Sequence, residues 1–158
     1  MTAVIIFLLL ILTLFAVAFI TKRRYGMLAL ALSAGAMLST LWVGDLTPII
    51  AEAGFVLVRP PLESVVAGVL ILLPAVLLLA GGPAYQNGSH RVMGALLFAI
   101  FATVLLLEPL ESALVIEGIG KQVFDFLTAN RIALITICLA VAVFDILFTK
   151  IPKIPSKH

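Results

Sequence analysis

Residues 3–24 read AVIIFLLLILTLFAVAFITKRR. From Ala3 to Ile20 the sole polar side chain is Thr13, and the triple cation Lys22, Arg23, Arg24 follows at once. A helix apolar on every side has no face to turn to water, so its solvent is lipid or a large protein core. A membrane span takes about 20 apolar residues, with a lower limit near 17. A secretory signal would carry its basic residues before the apolar run, and here they come after it, so the segment reads as a retained first span.

Working outward, four more apolar runs follow: Met27 to Val43, Leu62 to Ala80, Val92 to Leu107 and Ile132 to Phe148. Composition agrees with lipid as solvent. Of 158 residues, 63% are hydrophobic and 11% charged, and the mean hydropathy is +1.28. A soluble domain carries about a quarter of its residues charged, so this chain is short of polar groups to cover a water-facing surface. Backbone groups in lipid must be satisfied internally, which makes the spans helices, and the alternation of a membrane β-strand is absent. The fold class expected is all-α, a polytopic membrane bundle of about five spans in one domain. The bilayer is its first partner.

The basic residues give the orientation. With five spans, Lys22, Arg23, Arg24, Arg91, Lys150, Lys153 and Lys157 share one side, while Arg59, Lys121 and Arg131 lie on the other. Seven against three places the N-terminus outside and the C-terminus inside by the positive-inside rule, as in a bacterial inner membrane. Trp42, Tyr25 and Tyr85 fall near span ends, where aromatic belts form. A net charge of +2 is too weak to imply a nucleic-acid partner.

Two connections carry their own pattern. Thr47-Pro48 reads as an N-cap followed by proline at the first helical position, so residues 48–58 are expected to form a short re-entrant or interfacial helix. Residues 110–129 place Glu117, Lys121, Asp125 and Thr128 on one helical face and Ala113, Ile116, Val123, Phe124 and Leu127 on another. This is the pattern of an amphipathic helix at the outer surface, weakened in its middle by Gly118 and Gly120. The tail 150–155 is too rich in proline for a helix.

No catalytic or cofactor motif is present, and no cofactor or metal is expected. There is no glycine-rich phosphate loop and no histidine within a span to hold a haem. Cys138 is single and lies in an apolar run, so it reads as a packing residue. His90 and His158 read as solvated, and Asn87-Gly88-Ser89 as a turn. Seven of the eight acidic residues fall near or beyond the outer boundary, as a hydrated rim or as a cation or proton site, with Glu108 and Glu111 one turn apart. Asp145 lies inside span five. A carboxylate there faces a partner or water. It reads either as an interface group reaching the inner headgroups or Lys150, or as part of an ion path. The first reading makes Asp145→Asn nearly silent, and is the one expected. Small residues recur every four positions as Ala31, Gly35 and Ser39 in span two, and as Ala95, Ala99 and Thr103 in span four. Such spacing lets a second helix approach closely. Pro74 should kink span three unless neighbours satisfy the carbonyl it frees.

The order of parts resembles the colicin V production protein family of small bacterial inner-membrane proteins over roughly residues 3–108. The resemblance rests on the basic turn Lys22-Arg23-Arg24-Tyr25-Gly26 before a small-residue-rich span. It continues through the semi-apolar connection ending near Pro61, and through Ser89-His90-Arg91-Val92-Met93-Gly94-Ala95-Leu96 before span four. The early acidic residue common in that family's first span is absent here, and span five is not part of its core. The resemblance implies a role in export or envelope maintenance without chemistry of its own. Together with the missing motifs and the small-residue faces, it leads to the expectation of a non-catalytic accessory or scaffold subunit that binds other membrane proteins or itself. The alternative is a small transporter or channel component, resting on the acidic rim, Asp145 and the segment 48–58.

Overall fold

The computed structural model describes residues 2–55, 57, 60–81, 88–113 and 119–148. Six helices follow in order: α1 (Thr2–Thr21), α2 (Tyr25–Glu52), α3 (Leu62–Gly81), α4 (Gly88–Ala113), α5 (Ile119–Ala129) and α6 (Arg131–Phe148). No strand occurs among the described residues. By length and composition α2, α3, α4 and α6 can each cross a membrane, and α1 is a shorter apolar helix over Ile5–Thr21. The chain is an all-helical membrane bundle. Arg59, Tyr85, Asn87, Glu117, Gly118 and the tail from Thr149 to His158 lie outside the described residues.

α1 to α4 alternate in direction, and α6 runs the same way as α1 and α3. The turn after α1 uses Lys22 in the left-handed conformation, φ 56°, which ends a helix and reverses the chain. α4 is the axis of the bundle. Ala95, Phe98, Ala99, Phe101, Ala102 and every residue from Val104 to Leu107 are buried along it. Around it, Ala18 of α1, Leu28, Ala29 and Leu32 of α2, Ile71 and Ala75 of α3, and Cys138 and Ala142 of α6 join one contiguous core. The outward faces carry large apolar side chains such as Leu8, Leu41, Ile137 and Leu147, as lipid contact requires.

α2 and α3 approach closely at Gly35. Ala31, Gly35 and Ser39 are buried on the α2 face. A Cβ built on Gly35 would collide with the Ile71 carbonyl and lie 2.8 Å from the Leu70 oxygen. Proline has no N–H to give the carbonyl four residues earlier, so Pro74 deprives the Leu70 carbonyl of its helical donor. That carbonyl lies against the Gly35 backbone, and α3 continues through Pro74 to Gly81.

The expected separate helix at 48–58 is not formed. α2 runs unbroken through Pro48 to Glu52. The Thr47 hydroxyl, expected to cap a new helix, instead donates back to the Val43 carbonyl at 2.7 Å, the usual alternative for a threonine inside a helix. The true stop lies six residues later. Gly54 has φ +96°, its N–H donates to the Ala51 carbonyl, and the Phe55 N–H donates to Ile50. Those two bonds and the left-handed glycine make a Schellman C-cap. In the same way α4 continues past Pro109 to Ala113, so residues 110–113 belong to α4, and the amphipathic helix is the shorter α5. Phe124 of α5 packs on Val104 and Leu107 of α4, while Lys121, Asp125 and Thr128 are exposed. Asn130 turns the chain into α6, its side-chain amide donating to the Phe126 carbonyl at 2.8 Å. Tyr25 is no belt residue. It is 1% exposed, and its hydroxyl donates to the Cys138 carbonyl at 2.9 Å.

Gly35→Leu should lower the unfolding midpoint in detergent by the equivalent of about 1–3 kcal/mol, the usual cost of overpacking. Gly44→Ala, where an added Cβ meets nothing within 4 Å, should not. Equal stability of the two variants would remove the α2–α3 contact from the account.

Candidate functional site

Polar groups gather at the two ends of the bundle, and each end is built differently. At one end the helices α1, α3 and α6 finish and α2 and α4 begin. A helix leaves its last four carbonyls without intrahelical donors, and cations are favoured there by the helix dipole. Arginines supply the donors from other helices. Arg23 donates through Nε to the Leu79 carbonyl at 3.0 Å and through Nη2 to Ala80 at 3.1 Å, closing α3. Arg91 donates through Nε to the Phe19 carbonyl at 2.6 Å, closing α1, and its guanidinium stands 3.8 Å from the Phe19 ring centroid. Arg24 donates through Nη2 to the Asp145 carbonyl at 3.2 Å, closing α6.

The same end holds the reciprocal contact. α2 starts without a side-chain cap from its own N-cap residue, Arg24. Its Gly26 N–H donates instead to Oδ2 of Asp145 at 2.9 Å, so a carboxylate from α6 caps α2, on the positive end of its dipole. Only glycine fits at 26. An added Cβ would stand 2.6 Å from the Ala142 carbonyl and 2.6 Å from Cγ1 of Ile146. Asp145 is therefore tied to the start of α2, an arrangement that neither sequence reading contained. Lys150, its expected partner, lies outside the described residues.

The opposite end is acidic. There α2, α3 and α4, with the start of α6, enclose a half-open cleft of about 470 Å³. Its walls come from single faces of three helices: Ala36, Ser39, Thr40, Val43 and Gly44; Glu63, Ser64, Ala67 and Ile71; Leu105, Glu108, Pro109 and Ser112. The small residues at 36, 44 and 67 leave the space, and Ile71 and Leu105 line it with the bundle's own core atoms. Ser64 and Ser112 share a hydrogen bond of 2.5 Å between α3 and α4. Glu108 forms an ion pair with Arg131 at 2.9 Å. With the Glu108 side chain 73% exposed, such a pair is worth at most about 1 kcal/mol.

The sequence candidates thus separate. Gly35 serves the α2–α3 contact, Ala31 is buried on α2, and Ala95 and Ala99 are buried along α4. Ser39 and Glu108 meet in the cleft, Glu111 is exposed outside it, and Asp145 is at the far end of the molecule. No group of three His, Cys, Asp or Glu close enough to hold a metal ion occurs among the described residues. The capping role of the arginines was not read from sequence, where they stood only as topology markers. The signal was present in the glycine at 26 beside them. Comparison with known protein families, characterised proteins and solved structures finds no match to this chain.

Asp145→Ala should destabilise the bundle by about 1 kcal/mol, within the range for loss of a helix N-cap. Asp145→Asn keeps an acceptor oxygen and should cost less, while Gly26→Val should cost more than either. Chemical unfolding of the three variants in one detergent gives the order, and a silent Gly26→Val would contradict the site.

Proposed function

We propose that this chain is a small non-catalytic integral membrane protein acting as an accessory or scaffold subunit, in export or envelope maintenance as in the colicin V production family it resembles. It sits in a bacterial inner membrane in five spans, α1 included, with the N-terminus outside and the C-terminus inside. The arginine end is then cytoplasmic and the cleft faces outward. The observation that carries this reading is the middle of the bundle. A pore or carrier needs polar groups through its depth. Between the two polar ends the interior is Leu28, Leu32, Ile71, Ala75, Phe98, Phe101, Ala102 and Leu105. The buried polar side chains among the described residues are Ser39, Ser64 and Thr103. Thr103 donates to its own helix, to the Ala99 carbonyl at 2.7 Å. The charged side chains that reach other helices close helix ends or pair at the surface. A subunit of this kind acts through its surface, by contact with other membrane proteins or with further copies of itself.

The second reading, a small transporter or channel component, is favoured by the cleft alone, a polar recess on one side of the bundle. Purified protein in liposomes separates the two. The scaffold reading expects no proton, sodium or potassium flux above protein-free vesicles under an imposed gradient, and expects deletion of the gene to reduce recovery of an intact envelope or export complex. Sustained ion flux that Glu108→Gln abolishes would put the transporter reading first. The topology is tested by fusions after Phe148 and after Gly81, both of which should report as cytoplasmic. An extracytoplasmic signal from either would overturn the orientation.

A further inference from the structure

We infer that the cleft at the acidic end binds a primary ammonium group, with the Ser39 hydroxyl and the Glu63 carboxylate as its main acceptors. This goes beyond the accessory role and holds whether or not the protein conducts. Ser39 is 8% exposed, lines the cleft, and forms no side-chain hydrogen bond with any group among the described residues, unlike Ser33, Thr40, Thr47 and Thr103, which all bond back to their own helices. The Ser39 hydroxyl is not sealed inside protein, so it is open to whatever enters the cleft it lines.

The rest of the lining points to a cation with N–H donors. Pro48 and Pro109 have no N–H for the carbonyls four residues before them, and those carbonyls belong to Gly44 and Leu105, both lining residues. A proline in a membrane helix leaves an acceptor open to neighbouring side chains, water or a bound group. Glu63 adds a carboxylate at the rim. Of the two remaining charges, Arg131 is held by Glu108, so the walls carry one net negative charge and acceptors in excess of donors. An anion would meet Glu63 and Glu108 with Arg131 already engaged. A bare metal ion would meet too few carboxylates and too wide a space, since about 470 Å³ is the volume of a small organic group rather than of an ion. A primary ammonium offers three N–H donors to the hydroxyl and carboxylate of this lining and leaves a short carbon chain against Ala36, Ile71 and Leu105. Soluble amines carry this group, and so does the ethanolamine headgroup of a phospholipid, which reaches the rim of a membrane bundle laterally.

The test uses the full chain in phosphatidylcholine nanodiscs, titrated with ethanolamine hydrochloride and, at equal ionic strength, with choline chloride, whose quaternary nitrogen has no N–H. A parallel series replaces part of the phosphatidylcholine with phosphatidylethanolamine. A saturable rise in Tm with ethanolamine, with none from choline, is expected for a soluble amine. A rise only in the phosphatidylethanolamine discs assigns the ligand to the lipid. In either case Ser39→Ala and Glu63→Gln should each weaken the half-saturation point about tenfold, the scale of one hydrogen bond to a charged group, while Glu111→Gln, outside the cleft, should not. Both substitutions keep small or polar side chains at their positions, so the bundle stays folded. The inference is overturned if neither ethanolamine nor phosphatidylethanolamine shifts Tm, if choline shifts it equally, or if the shift survives both cleft substitutions.

Discussion

A helix leaves its last four carbonyls without donors of its own, and in this bundle three helices end together. The arrangement of the other parts follows from how those ends are closed. Arg23, Arg24 and Arg91 stand at or just before the helices that start at the same level, so each donates across to a neighbour that finishes there. Asp145 returns the contact by capping the start of α2. Because the donors and acceptors belong to different helices, the closure fixes which helix lies beside which. In lipid, where apolar burial gives little preference between partners, such directional contacts set the arrangement, and small residues such as Gly35 and Gly26 then allow the backbones to close.

The same residues explain what was legible in the sequence. The spans could be read because lipid imposes length and apolarity on them, and α3 and α6 match the expected runs closely. The amphipathic α5 could be read because Phe124, Lys121 and Asp125 keep helical spacing. The end of α2 could not. Thr47-Pro48 has the composition of a helix start, and local composition alone does not tell a start from a tolerated interior proline when the threonine satisfies a carbonyl of its own helix. Gly54 was the better marker, since a left-handed stop requires glycine where a helix start does not. Tyr25 was misplaced for a related reason. An aromatic near a span end suits a headgroup belt, but its hydroxyl finds the Cys138 carbonyl, 113 positions away in sequence, and no local rule anticipates that partner.

The two ends also divide the polar chemistry by task. At the arginine end Arg23, Arg24, Arg91 and Asp145 close helix ends, and their removal acts on stability. At the acidic end α2 and α4 run past their prolines, and together with α3 they stand apart enough to leave a cleft whose walls mix satisfied groups, such as Ser64 with Ser112, with the hydroxyl of Ser39. Between them the apolar interior keeps the two ends chemically separate.

The central claim is that the arginine end is one connected closure rather than a set of independent surface contacts. A double-mutant cycle of Arg24→Met and Asp145→Ala, followed by chemical unfolding in mixed micelles, tests it most directly. Either change alone loosens α6 from the start of α2, so the second should then cost less than it does in the wild-type chain, with a coupling of about 1 kcal/mol, within the range for residues in one network. Effects that add to within about 0.3–0.5 kcal/mol, as for distant and independent sites, would contradict the account.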